Sequence, residues 1–365
     1  MLAAYNTERH LLDQLLETLR ALPNVEDVHS KREVRVAVGA HERCDAVVNL
    51  CIAGKPLRLV VELKKSLFPR DARQALWKLR SLDRPVAKSN ETEELAMLVA
   101  ESISDGARAF LRNERVGYYD SGGSLLLPVA GAYVYIDKPP PKALAKVIRS
   151  LYSGRRAQVL LALLSHHEAW VGVQGLAAEA HVSPATASQV LTQLERFDWL
   201  ESNGQGPAKR RHLREPGQLL DAWSQHIATE RLPSMRRFYV PGLRADGSTN
   251  RLTQALEERG VEYAMTHEMA AQRYAPFLSS VSQVRCRLIS GPAFDAALAD
   301  LNAHPVTEGA NLSVLEVKSP DDLLFRQKLD GVWLASPIQV YLDLLRGEGR
   351  AKELAAHLRR ERIGF

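Results

Sequence analysis

The chain has 365 residues, 45% of them hydrophobic and 25% charged, which is more than one ordinary core accommodates and excludes a disordered or collagen-like polymer. Cys44, Cys51 and Cys286 are too few and too widely spaced for a disulfide framework or a zinc cluster, so a reducing compartment is expected. A formal net charge of +5 defines no partner, and local clusters of charge carry more weight than the sum.

The N-terminal stretch MLAAYNTERHLLDQLLETLR is charged throughout and lacks the apolar run of a signal peptide. No segment nears the ~18 apolar residues of a membrane span, so a cytoplasmic location is expected. Residues 7–21 read as an amphipathic helix, with Leu11, Leu12, Leu15, Leu16 and Leu19 at helical spacing and Thr7 as its N-cap. VRVAV, DAVVNLCI and LRLVVELK are strand-like runs, the last two joined by an AGKP turn. DARQALWKLRSL returns to helix, ELAMLVAES to strand and ISDGARAFLRNER to helix. VGYYD, SLLLPV and GAYVYI close the block as strands turned at Ser121-Gly122-Gly123. The prolines of DKPPPK end this mixed α/β region, giving a first domain over 1–140.

Residues 143–230 have the grammar of a helix-turn-helix. RAQVLLALLSH, GVQGLAAEAH and VSPATASQVLTQLERFDWL read as three helices, the last entered through Ser183 as N-cap and Pro184 at the first helical position. A recognition helix buries one stripe and offers short polar side chains from the other. Val190, Leu191, Leu194 and Phe197 supply the stripe, leaving Thr186, Ser188, Gln189, Gln193 and Arg196 outward, and with Ser183 the short polar side chains are expected to face DNA. Gly204, Gly206 and Pro207 mark the tip of a hairpin wing. Its return arm carries Lys209, Arg210, Arg211 and Arg214, cations suited to phosphate contacts. From 231 to 365 short strands and helices alternate again, as expected of a second α/β domain.

Chemistry concentrates in the first domain. Asp45 opens the second strand, and Glu62 and Lys64, two residues apart at the end of the third, share a sheet face by strand alternation. Two carboxylates converging there would suit a hard divalent cation, Mg2+ above all. Lys64 would then orient or deprotonate a water attacking a phosphodiester. Asp45, Glu62 and Lys64 within an α-β-β-β-α-β order resemble the PD-(D/E)xK superfamily of restriction-endonuclease-like domains. That resemblance implies metal ligation by Asp45 and Glu62, a catalytic role for Lys64, and an additional active-site side chain at Gln74 on the following helix. The same letters recur at Glu316 and Lys318 with Asp300 upstream, but Asp300 falls in the helical pattern AFDAALADLN, so no site is assigned there.

The cap, turn, helix and wing of 154–214 resemble winged helix-turn-helix DNA-binding domains. ASPIQVYLDLL followed by GRAKELAAHLRR, together with THEMAA, resembles the C-terminal part of AbiEi-like antitoxins of type IV toxin–antitoxin systems. The expected fold class is thus multi-domain α/β: a restriction-endonuclease-like mixed sheet, a central winged helix, and a nucleotidyltransferase-like α/β domain. The resemblance implies a DNA-binding transcriptional regulator with double-stranded DNA as partner and a cognate toxin from the same operon. A Mg2+-dependent DNA endonuclease targeted by its winged helix stands as the alternative. Thr266-His267-Glu268 offers no Gly-Ser pair for nucleotidyl transfer, so a binding role is expected of the last domain.

Overall fold

The computed structural model describes residues 2–35, 43–81, 92–139, 141–244 and 249–365. It divides into two units, Met1–Arg149 with Gln193–Asp198, and Ser150–Thr192 with Trp199–Phe365.

The first unit holds α1 (Leu2–Arg20), β1 (Val25–Arg35), β2 (Arg43–Ile52), β3 (Lys55–Leu67), α2 (Pro69–Ser81), β4 (Glu93–Ile103), α3 (Asp105–Asn113), β5 (Gly117–Asp120), β6 (Leu125–Val129) and β7 (Ala132–Ile136). The seven strands lie side by side in chain order. β1, β2 and β3 form an antiparallel meander, β3, β4 and β5 run parallel, and β6 and β7 return antiparallel. The parallel pairs need crossovers, and α2 and α3 supply them. Each strand face is apolar in its turn. Leu57, Leu59, Val61, Met97 and Val99 pack with the α1 leucines, while Val60, Leu98, Ala100 and Tyr118 pack with Ala75, Leu76 and Leu79 of α2 and Leu111 of α3. The sheet is therefore sandwiched between helices.

Two local expectations change. α1 begins at Leu2, so Thr7 lies within the helix and is not its cap. β3 runs on to Leu67, beyond Glu62 and Lys64, because β4 continues to pair with it after β2 has stopped. Residues 36–38 of the VRVAV run lie outside the described residues. Within this unit Arg108 ties α3 to the sheet: it donates to Asp120 Oδ2 at 2.6 Å, to Asp137 Oδ1 at 2.7 Å and to the Lys138 carbonyl at 2.9 Å.

After α4 (Lys142–Leu151), which follows the proline run directly, come α5 (Gly154–Ser165), β8 (Val171–Gly172), α6 (Val173–Glu179), α7 (Pro184–Arg196), β9 (Leu200–Asn203), β10 (Arg210–Leu213) and α8 (Pro216–Thr229). β8, β10 and β9 form a small antiparallel sheet in that order. The turn before β10 depends on Gly204, at φ +78°, where a Cβ would meet the Ala208 carbonyl oxygen at 3.1 Å.

The chain continues through β11 (Arg236–Tyr239), α9 (Thr249–Glu258), β12 (Tyr263–Thr266), α10 (His267–Tyr274), β13 (Val284–Leu288), α11 (Pro292–Asp300), β14 (His304–Pro305), β15 (Leu312–Glu316), β16 (Gln327–Leu329), β17 (Val332–Leu334), α12 (Pro337–Leu344) and α13 (Ala351–Leu358). Its sheet is mixed and shuffled, in the order β14-β11-β15-β13-β12-β17-β16. Of the winged region, residues 143–149 and 193–198 fall in the first unit, and 150–192 and 199–230 fall in the same unit as this α/β region. Ion pairs stitch them: Arg359 to Asp221 at 2.5 Å, Arg346 to Glu230 at 2.6 Å and Arg155 to Asp321 at 3.1 Å. No helix among the described residues is long and apolar enough to cross a membrane.

Arg108 and Asp120 are both buried, and losing Asp120 leaves the Arg108 charge with the more exposed Asp137 as its remaining carboxylate. Asp120→Ala is expected to cost about 3–5 kcal/mol, read from chemical denaturation of the full chain.

Candidate functional site

β2 and β3 pair only as far as Ala46 and Val61. Continued by one residue, that register sets Asp45 opposite Glu62, with both side chains on the face that carries α2. The Leu63 N–H, two residues past the last ladder pair, is taken up by Asp45 Oδ2 at 2.7 Å. Asp45 thus replaces the departed strand as the hydrogen-bond acceptor. Burial pushes its carboxyl up from the ordinary value, opposed by the Leu63 hydrogen bond and reinforced by the nearby Glu62 charge.

Glu62 is 1% exposed, and a carboxylate so enclosed requires positive charge. Lys64 Nζ lies 2.6 Å from its Oε1. Lys78 Nζ, reaching across from α2, lies 2.8 Å from Oε1 and 3.0 Å from Oε2. Gln74, expected at the site, is exposed one helical turn before Lys78, and it is Lys78 that contacts Glu62. Lys78 was missed because its partner lies on a different element, although the i, i+4 spacing from Gln74 puts both on one helix face. Trp77 next to it is 73% exposed.

Among the described residues no group of three or more His, Cys, Asp or Glu side chains could hold a metal ion. Mg2+, however, commonly binds through one or two carboxylates, with water and substrate phosphates completing its shell. Asp45 and Glu62 are hard oxygen donors of the type such a cation takes, with Glu62 also accepting from Lys64 and Lys78.

The second candidate surface lies on α7 and the β9–β10 arm. Ser183 caps α7, its Oγ accepting from the Thr186 N–H at 3.2 Å. His181, in the turn before it, takes a left-handed φ of +50°, and its imidazole meets Asp321 at 3.0 Å. Ala187, Val190, Leu191 and Leu194 form the buried stripe, with Phe197 beyond the helix end and half-buried. Ser183 and Gln189 are exposed; Thr186, Ser188 and Gln193 are half-buried. Gln189 Oε1 accepts from Arg156 at 3.1 Å, which presents a cation the sequence reading overlooked.

The arm itself needs a correction. Arg211 is 6% exposed and turns inward, because β10 alternates and Arg211 shares a face with the buried Leu213. Arg210 and Arg214 are exposed, Lys209 is half-buried, and Arg214 faces Glu215 at 3.5 Å. Phosphate contact is therefore available from Arg210 first. Trp170, tilted against His212 at 5.4 Å between ring centres, adds an aromatic surface beside it.

The duplicate ExK letters lead elsewhere. Asp300 ends α11 and pairs with Arg259 at 2.8 Å, while Glu316 pairs with Arg236 at 3.1 Å.

Lys78→Ala leaves buried Glu62 with Lys64 alone. With both lysines partly exposed, the expected loss is about 1–2 kcal/mol, measured by denaturation, with Lys64→Ala adding more than its single effect. No family model, curated protein or solved structure matches this chain.

Proposed function

We propose that the protein is a DNA-binding transcriptional regulator of the AbiEi-like antitoxin kind, with its winged region as the DNA-contacting element. The observation that carries this reading is the order helix, strand, helix, turn, helix and two strands from α5 to β10, with a Ser183-capped α7 whose first turns stay polar and accessible. In that arrangement the N-terminal half of α7 enters the major groove, where Ser183, Ser188 and Gln189 offer hydrogen bonds to base edges. Arg210, with Lys209 and Arg214 near it, contacts phosphate across the groove rim. A cognate toxin encoded in the same operon belongs to this proposal as partner.

A second reading, hydrolysis of DNA phosphodiesters, is favoured by the charged cluster in the first unit. Asp45 and Glu62 would hold Mg2+, which when bound supplies charge stabilisation to a phosphate. Lys64 is the residue to orient or deprotonate the attacking water. Lys78 holds Glu62 in place through both of its carboxylate oxygens, acting through that side chain.

Two measurements separate the readings. Arg210→Ala should weaken binding to double-stranded DNA and reduce the slope of log affinity against log salt by about 1, whereas Arg211→Met should lower thermal stability. Unchanged affinity and slope in Arg210→Ala would defeat the winged-helix assignment. Plasmid incubated with Mg2+ or Mn2+ should remain intact under the regulator reading; cleavage that disappears in both Asp45→Ala and Lys64→Ala would establish the nuclease instead.

A further inference from the structure

The C-terminal sheet carries a row of polar side chains under its helices. Arg237 of β11 pairs with Ser313 of β15, Ser313 with Arg285 of β13, and Arg285 with Thr266 of β12. Directly opposed residues share a face, so this row crosses four strands on one side of the sheet. One residue along, Phe238, Leu312 and Val284 form an ordinary apolar row facing the other way.

The polar face is elaborately paired. Asp343 of α12 accepts from Arg287 at 2.6 and 2.8 Å, from Thr266 at 2.5 Å and from Gln339 at 2.9 Å. These partners hold its carboxyl down at about 2 against the effect of burial. Glu268 receives Arg285 Nη1 on both oxygens at 2.8 Å. Because Thr266 is committed to Asp343, its hydroxyl does not cap α10.

Three side chains with unused hydrogen-bonding groups line one cavity of about 540 Å³. His267 is 4% exposed, and neither ring nitrogen has a hydrogen-bond partner among the described residues, with Nδ1 fully enclosed. Its backbone at the start of α10 is in the left-handed region, φ +55°, an uncomfortable place for a residue with a Cβ. Arg346 pairs through Nη2 with Glu230, but its buried Nε has no partner. The exposed Arg237 guanidinium has none among the described residues. Burial pushes the His267 pKa down, so the ring is neutral and can donate from one nitrogen.

We propose that this cavity binds a phosphate monoester of about mononucleotide size. Arg237, His267 and Arg346 approach from three separate elements, which suits a group with three terminal oxygens better than a planar carboxylate. The cavity falls within the roughly 300–1,000 Å³ of small-molecule sites. Leu232, Pro233, Met235 and Leu315 supply an apolar wall for the body of the ligand. Glu348, exposed at the rim, disfavours a second anionic group there.

The test is calorimetry and thermal shift on the full chain with adenosine monophosphate, inorganic phosphate, adenosine and succinate. Adenosine monophosphate should bind tightest and raise the melting temperature. Arg237→Ala should weaken it about tenfold or more without altering the unliganded melting temperature. His267→Asn, which tolerates the left-handed backbone, should weaken it as well. Adenosine binding as tightly as its monophosphate, succinate binding more tightly, wild-type affinity in Arg237→Ala, or no binding at all would each overturn the proposal.

Discussion

The first unit is organised around one requirement: a carboxylate at 1% exposure must be matched by positive charge. Glu62 meets it with Lys64 on its own strand and Lys78 on α2. That pairing fixes α2 across the end of β3, and α2 in turn covers the apolar face formed by Val60, Leu98 and Ala100. The departure of β2 from β3 at Ala46 and Val61 frees the Leu63 N–H, which brings Asp45 to the same place. The charged cluster, the strand ending and the helix packing are one arrangement.

A comparable economy governs the second unit. Arginine–carboxylate pairs join the winged region to the shuffled α/β sheet, and a further set lies inside that sheet's helical cover. Interior ion pairs do little for net stability compared with apolar packing. They do dictate a unique alignment of donors and acceptors, against which the unpartnered His267 Nδ1 and Arg346 Nε stand out.

Much of the first unit was legible in the chain. Apolar alternation marked the strands, and Glu62 and Lys64 fall on one face because they are two residues apart on a strand. Rejecting the copy at Glu316 and Lys318 needed only the helical pattern around Asp300. Arg211 was also legible in principle, since its two-residue spacing from Leu213 puts it inward once β10 is recognised as a strand rather than a solvated arm. Lys78 was not, because the distance from α2 to the end of β3 is set by how the helix packs.

The sequence by itself determined the local elements: period and alternation decide helix or strand, prolines and glycines decide where each stops, and Ser183-Pro184 decides where α7 starts. Only the tertiary structure decided which polar groups meet. Arg237, Ser313, Arg285 and Thr266 form one row only because the strand order β11-β15-β13-β12 departs from chain order. Such pairings depend on long-range hydrogen-bond register, which no local spacing encodes.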